Sequence, residues 1–171
     1  MTRLVVDIEA NGLYNNCSRI HCIVAKDIDT GEVFLGSEST VNLQVTFGLS
    51  TILQILVEAD EIIGHNFIDY DMRVIDKLTG IKLDVNKITD TLLLSHMLYP
   101  HKKRHPNTPA SKETVAGRRI IGPHSLENWG YCVGLGKIEY EDWSTFTPEM
   151  LERCKVDVEI THQVFNKLKG E

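Results

Sequence analysis

Residues 3–12 read RLVVDIEANG. The run from Arg3 to Ile8, rich in Val and Ile, predicts a buried strand, and Asn11 and Gly12 predict the turn after it. Asp7 and Glu9 stand two residues apart at its end, so strand alternation sends both side chains to one face. Two acids on one side of a buried strand are unfavourable unless something positive lies between them. Taken alone, the pair also fits a solvated strand end or a salt-bridged pair.

Outward from this strand, IHCIVAK at 20–26 predicts a second strand, Asp29-Thr30-Gly31 a turn and residues 32–36 a third strand. This makes a meander with its first strand at the sheet edge. Apolar residues at 49, 52, 53, 56 and 57 have helical spacing within 46–58, and 61–64 is a short apolar strand. Helices are predicted over about 70–79, over 88–98 with Thr89 or Asp90 as cap, and over 125–133 ending at Gly134. Residues 137–147 read as loop. A last helix has Thr147 as cap and Pro148 at its first position, and runs to about Leu168. Between these, residues 99–123 hold four prolines, two glycines and a Lys/Arg cluster, the composition of a mobile surface loop. Strands first, then alternating helices and short strands, define an α/β class: a mixed central sheet of about five strands flanked by helices, in one domain over residues 1–171.

The composition sets bounds. With 171 residues, 42% of them hydrophobic, the chain can bury a core of ordinary size. A net charge of −6 has the wrong sign for a simple nucleic-acid coat protein. It is compatible with a site that gathers carboxylates around cations. Cys17, Cys22, Cys132 and Cys154 form no CxxC pair and read as reduced thiols of a cytosolic protein. His101 and His105 lie among prolines, which disfavours a helical zinc pair. No signal peptide and no apolar run of membrane-spanning length is present, so no membrane partner is expected.

Two further acids complete a constellation. Asp71 falls in the first turn of a helix, where the dipole also favours an acid for purely structural reasons. Asp157 shares a helical face with Val156, Ile160 and Val164, an inward face on which an acid needs a partner. Four acids on separate elements suit the carboxyl ends of strands in an open α/β sheet. Hard oxygen ligands suit Mg²⁺ or Mn²⁺. Two such ions, about 4 Å apart, activate water and stabilise the leaving oxygen of a phosphodiester.

VVDIEANGL, HNFIDYD and RCKVDVEIT resemble, in order, the three motifs of DnaQ-like (DEDD) 3′–5′ exonucleases. The likeness is closest to the proofreading domain of phage family A DNA polymerases. IHC at 20–22, ITDTLLLS at 88–95 and PHSLENWGYCVG at 123–134 extend it over nearly the whole chain. The resemblance implies a ribonuclease H-like fold and removal of nucleotides from the 3′ ends of single-stranded DNA with two divalent cations, Mg²⁺ or Mn²⁺. Asp7, Glu9 and Asp157 would hold the catalytic ion, and Asp71, with Asp7 shared, the second. Leu13 falls at the position of an apolar wedge beside the last base, and Asn66 near the substrate. The chain is then either an excised domain or a stand-alone enzyme beside a separate DNA polymerase. The fold also serves ribonucleases, and the residues do not separate the two sugars.

The chain departs from the family at one point. Four residues before the last Asp, the polymerase branch places a Tyr that orients the attacking water, and this chain has Arg153. The other branch places a His five before that Asp, where this chain has Glu152. Arg153 cannot act as a base at neutral pH. It either donates to phosphate and developing charge or is a surface residue without a role, leaving Glu152 or metal-bound hydroxide to serve. Loss of chemistry at Arg153 would make the chain a binding module for single strands or a polymerase. Lys102, Lys103, Arg104, Arg118 and Arg119, with Lys112, form a basic cluster suited to a phosphate backbone. Phe67 and Tyr70 flank the second motif, one of them within reach of a base, whereas Trp129 and Tyr131 read as packing residues.

Overall fold

The computed structural model describes residues 1–38, 45–114, 117–136 and 138–170. Residues 115, 116 and 137, within the two expected loops, lie outside them. A mixed sheet of six strands carries the fold. Its strands are β1 (Arg3–Ala10), β2 (Ile20–Asp27), β3 (Val33–Ser37), β4 (Phe47–Gly48), β5 (Glu61–Gly64) and β6 (Ile88–Asp90), in the spatial order β4-β3-β2-β1-β5-β6. The helices are α1 (Leu49–Glu58), α2 (Asp71–Thr79), α3 (Thr91–Leu98), α4 (Leu126–Val133) and α5 (Pro148–Lys169). A separate antiparallel hairpin, β7 (Ser111–Thr114) with β8 (Gly117–Ile120), lies between α3 and α4.

The first strand is central, not the edge expected from the meander. It pairs antiparallel with β2 on one side and parallel with β5 on the other. Helices cover both of its faces, which is why it reads as a continuous apolar run rather than an alternation. Leu4, Val6 and Ile8 pack with Ile52, Leu56, Val74 and Ile75 of α1 and α2. Val5, on the opposite face, packs with Leu151, Cys154, Val158 and Phe165 of α5. Asp7 and Glu9 continue the Val5 face, so alternation alone aims them at α5. The pairing with β2 shifts register between Glu9 and Ala10, a bulge of the kind that ends pairing beside active sites.

Three other expectations are corrected. Phe47 and Gly48 pair in parallel with Gly36 and Ser37, so the first helix starts at Leu49. Residues 88–90 are strand rather than helix: they extend beside Ile62–Gly64, and Asp90 has the extended backbone that a helix cap requires. The 99–123 segment is not structureless, because it contains the β7–β8 hairpin and buries Thr108 and Ile121. The Thr147 cap and Pro148 start of α5 are as expected, and Gly170 closes it in the left-handed region at φ 81°.

Gly64 shows how tightly the floor beneath the second motif is packed. A Cβ there would stand 2.5 Å from Phe67 Cδ2. Gly64→Ala is therefore expected to cost about 1–3 kcal/mol through overpacking. Thermal unfolding should show a fall in Tm of roughly 2–12 °C. An unchanged Tm would mean that the ring shifts without strain.

Candidate active site

The four acids come together. Asp7, Glu9, Asp71 and Asp157 line one cavity of about 630 Å³, with Leu13, Asn66, Tyr70 and Arg153 on its walls. Ligand atoms of Asp7, Glu9 and Cys154 all lie within 4.8 Å of one another. The Cys154 thiol donates to Asp7 Oδ2 at 3.4 Å. Asp71 reaches the same strand end, where its Oδ1 accepts from the Ile8 amide at 3.2 Å. Asp157 is buried on the inward face of α5 and joins Glu9 through Arg153, whose Nη1 bonds Glu9 Oε1 and lies 3.3 Å from Asp157 Oδ2.

The electrostatics are those of a crowded anionic pocket. Asp71 is only 4% exposed. Burial, with the charge of Asp7 added, pushes its carboxyl well above the ordinary carboxylate range, against the pull of the Ile8 amide. The Tyr70 phenol is raised by burial and by Asp71, and it donates to the Gly12 carbonyl at 2.7 Å. Burial works against the charge on Arg153, but Glu9, Asp157 and Asp7 outweigh it and hold its pKa above the usual value. The Cys154 thiol is raised by burial and by its neighbour Cys22. Such a pocket fits divalent cations. It offers hard oxygen donors from three elements, one of them pushed toward its neutral form by burial and then by a neighbouring acid, and two already in contact with a positive group.

The loop under the site is held by Asp90, which the sequence marked only as a cap. Its carboxylate accepts from the amides of Asn66 (3.0 Å), Ile68 (3.1 Å) and Leu92 (2.9 Å). Asn66 sits at φ 61°, a left-handed conformation that Asn tolerates better than most residues.

The substrate-binding expectations divide. Leu13 is 75% exposed at the rim and Asn66 lines the cavity. Phe67 is wholly buried against Gly64 and so faces the core instead of a substrate; Tyr70 is the aromatic residue at the cavity. Of the basic cluster at 102–119 only Arg119 lines this cavity, and its guanidinium is tied to Glu127. Lys102 is drawn onto α4, with Nζ 3.9 Å from the Trp129 ring centre, and Arg118 donates to Ser111. Lys103 and Arg104 are exposed and line neither this cavity nor its neighbour. The hairpin pairs Lys112 with Arg119 and turns both toward the clefts, with Arg118 lining neither.

The cavity also exposes residues not singled out as site residues. His96 and His124 stack with ring centres 3.9 Å apart on its wall. Burial, then His96 and Lys102, hold His124 below the ordinary histidine range, and its Nδ1 meets Ser95 Oγ at 2.6 Å. No spacing in the sequence marks these two. Cys154, read from the sequence only as a reduced thiol, stands one helical turn before Asp157 on the same face, the one spacing that marks it. A second cavity of about 430 Å³ adjoins the first beyond Leu13, between the hairpin and the loop carrying Trp143.

The sheet order and flanking helices are those of the ribonuclease H-like fold, and the chain's motifs are similar to those of DnaQ-like (DEDD) exonucleases. Its sequence is similar to the DNA-directed DNA polymerases of Escherichia phage T7 and Enterobacteria phage T3, each 28% identical over 192 aligned residues covering 98% of this chain. The chain spans about a quarter (27%) of the length of these curated relatives. No protein-family model matches. Among solved structures, Brucella melitensis NrnC with bound Mg²⁺ superposes with a TM-score of 0.65 at 16% identity, over 99% of this chain and 73% of that one. Trypanosoma brucei RNase D does so with a TM-score of 0.62, also at 16% identity, over 99% and 58%. Four free cysteines are present, and no helix among the described residues is long and apolar enough to cross a membrane.

Proposed function

We propose that these residues form one 3′–5′ exonuclease domain that hydrolyses the terminal phosphodiester of single-stranded DNA with two divalent cations, Mg²⁺ or Mn²⁺. The observation that carries this reading is the meeting of Asp7, Glu9, Asp71 and Asp157 in one cavity. When bound, the cations would supply a polarised phosphate and a water activated at neutral pH. Asp7, Glu9 and Asp157 would hold one ion and Asp71, sharing Asp7, the other. Leu13, exposed between the two cavities, would wedge beside the terminal base, and Asn66 would contact the same nucleotide. Arg119, which lines both cavities, would meet a phosphate of the strand 5′ to the terminal nucleotide. Lys102, Lys103, Arg104 and Arg118 would act at longer range on the strand outside the cleft.

The similarity to phage polymerases supports DNA as substrate and proofreading as the setting, with a polymerase as working partner. A neighbour called RNase D favours a second reading, trimming of RNA 3′ ends. One experiment separates them: 5′-labelled DNA and RNA oligomers of one sequence, digested in parallel with Mg²⁺ or Mn²⁺. A ladder shortening from the 3′ end of the DNA, at a higher rate than on RNA, is the expected result. RNA cleaved faster establishes the second reading, and neither oligomer shortened at high enzyme concentration ends both.

A further inference from the structure

Arg153 bridges two of the acids proposed to hold metal. A single nitrogen, Nη1, contacts both Glu9 Oε1 and Asp157 Oδ2. An ion ligated by Glu9 Oε1 and Asp157 Oδ2 would compete with Nη1 for that same position, since both need the same two oxygens. The side chain is 14% exposed, so water does little to screen this exclusion. Its neighbour is the indole of Trp143, with the guanidinium carbon 4.9 Å from the ring centre. Trp143 is itself anchored, since its carbonyl meets His21 Nε2 of β2 at 2.9 Å. Both Arg153 and Trp143 line the second cavity, where Glu113, Glu139 and Glu141 stand beside Lys112 and Arg119 and offer carboxylates to a displaced guanidinium. An arginine stacked on a fixed aromatic face can pivot over it while keeping the contact.

We infer that Arg153 is a resident counter-ion exchanged for metal. Without metal it neutralises Glu9 and Asp157. When an ion enters, the guanidinium pivots across Trp143 into the second cavity, where the carboxylates of its lining replace the lost ones and the outward guanidinium can donate to a substrate phosphate. Metal and nucleotide then reinforce each other's binding through one side chain, because each favours the same outward position. No bond is made or broken in this exchange. The inference rests on the metal-binding reading proposed above and goes beyond it in making Arg153 the link between metal and substrate.

Calorimetric titration of the full chain with Mn²⁺, with and without saturating thymidine 5′-monophosphate, tests it without reference to turnover. In the wild type the nucleotide should tighten Mn²⁺ binding by about 5-fold or more. Arg153→Ala should bind Mn²⁺ about 10-fold more tightly than wild type and lose most of that coupling. Arg153→Gln, which keeps much of the volume and removes the charge, should behave alike, and far-UV circular dichroism checks that both variants are folded. Unchanged Mn²⁺ affinity and unchanged coupling in a folded variant would overturn the exchange while leaving the metal site intact. Mn²⁺ binding that survives Asp7→Asn, or is missing from every form, would instead remove the metal-site reading and the exchange with it.

Discussion

Replacing Asp7 by alanine is expected to slow 3′ trimming by at least about 10³-fold, equivalent to roughly 4 kcal/mol of lost transition-state stabilisation. The size follows from its position. Asp7 stands at the end of the central strand, within reach of Glu9 and Cys154, and its charge acts on Asp71. It is the one acid assigned to both proposed ions, so its loss weakens two centres at once. The fold should survive, because the side chain lies at the open end of β1 while Leu4, Val5, Val6 and Ile8 hold the core. Rates on a 5′-labelled oligomer, with circular dichroism as the folding control, check this. A decrease of less than about tenfold would exclude Asp7 as a shared ligand.

Asp71→Asn is expected to have two opposite effects: trimming falls steeply, and the metal-free protein becomes more stable at neutral pH. The Asp71 carboxyl is raised in the folded state, by burial first and by Asp7 second. At pH values between the unfolded and folded pKa, the folded chain therefore holds a proton that the unfolded chain has released. Stability from this group is fully present below the ordinary carboxylate pKa, falls as pH rises through that window, and stays low above it. Asparagine removes the charge and keeps an oxygen to accept the Ile8 amide. In chelator, the variant's Tm at neutral pH should exceed the wild type's by several degrees, about 2–4 °C for each kcal/mol recovered. The gap should close as pH is lowered below the carboxylate range. Added Mn²⁺ should stabilise the wild type more than the variant. A variant less stable than wild type at neutral pH would show that Asp71 is ionised and well compensated without metal.

The first strand as an element, the four acids and the capped last helix were legible because each obeys a local rule. Alternation sets the face of Asp7 and Glu9, and helical spacing turns Asp157 inward with Val164 and Ile160. What the sequence concealed depends on contacts between distant segments. The first strand is interior because β5 returns beside it, a pairing that no local pattern encodes. Phe67 looked available to a base because it lies next to Asn66, yet the lack of a side chain at Gly64 lets its ring drop into the core. The basic segment reads as loop because its prolines and glycines hide a short, largely exposed hairpin. Arg153 was visible as a departure from the family motif, and its i,i+4 spacing to Asp157 was readable. Its bond to Glu9, 144 residues away, was not.

The proposed chemistry requires cations held where the four acids meet. Its most direct test is an anomalous difference map from crystals grown or soaked with Mn²⁺. The predicted result is density bounded by Asp7, Glu9 and Asp157, with a further peak beside Asp71, and the Arg153 guanidinium moved off Glu9. A map with no anomalous density at these carboxylates, from crystals whose dissolved protein still trims DNA in Mn²⁺, would contradict it.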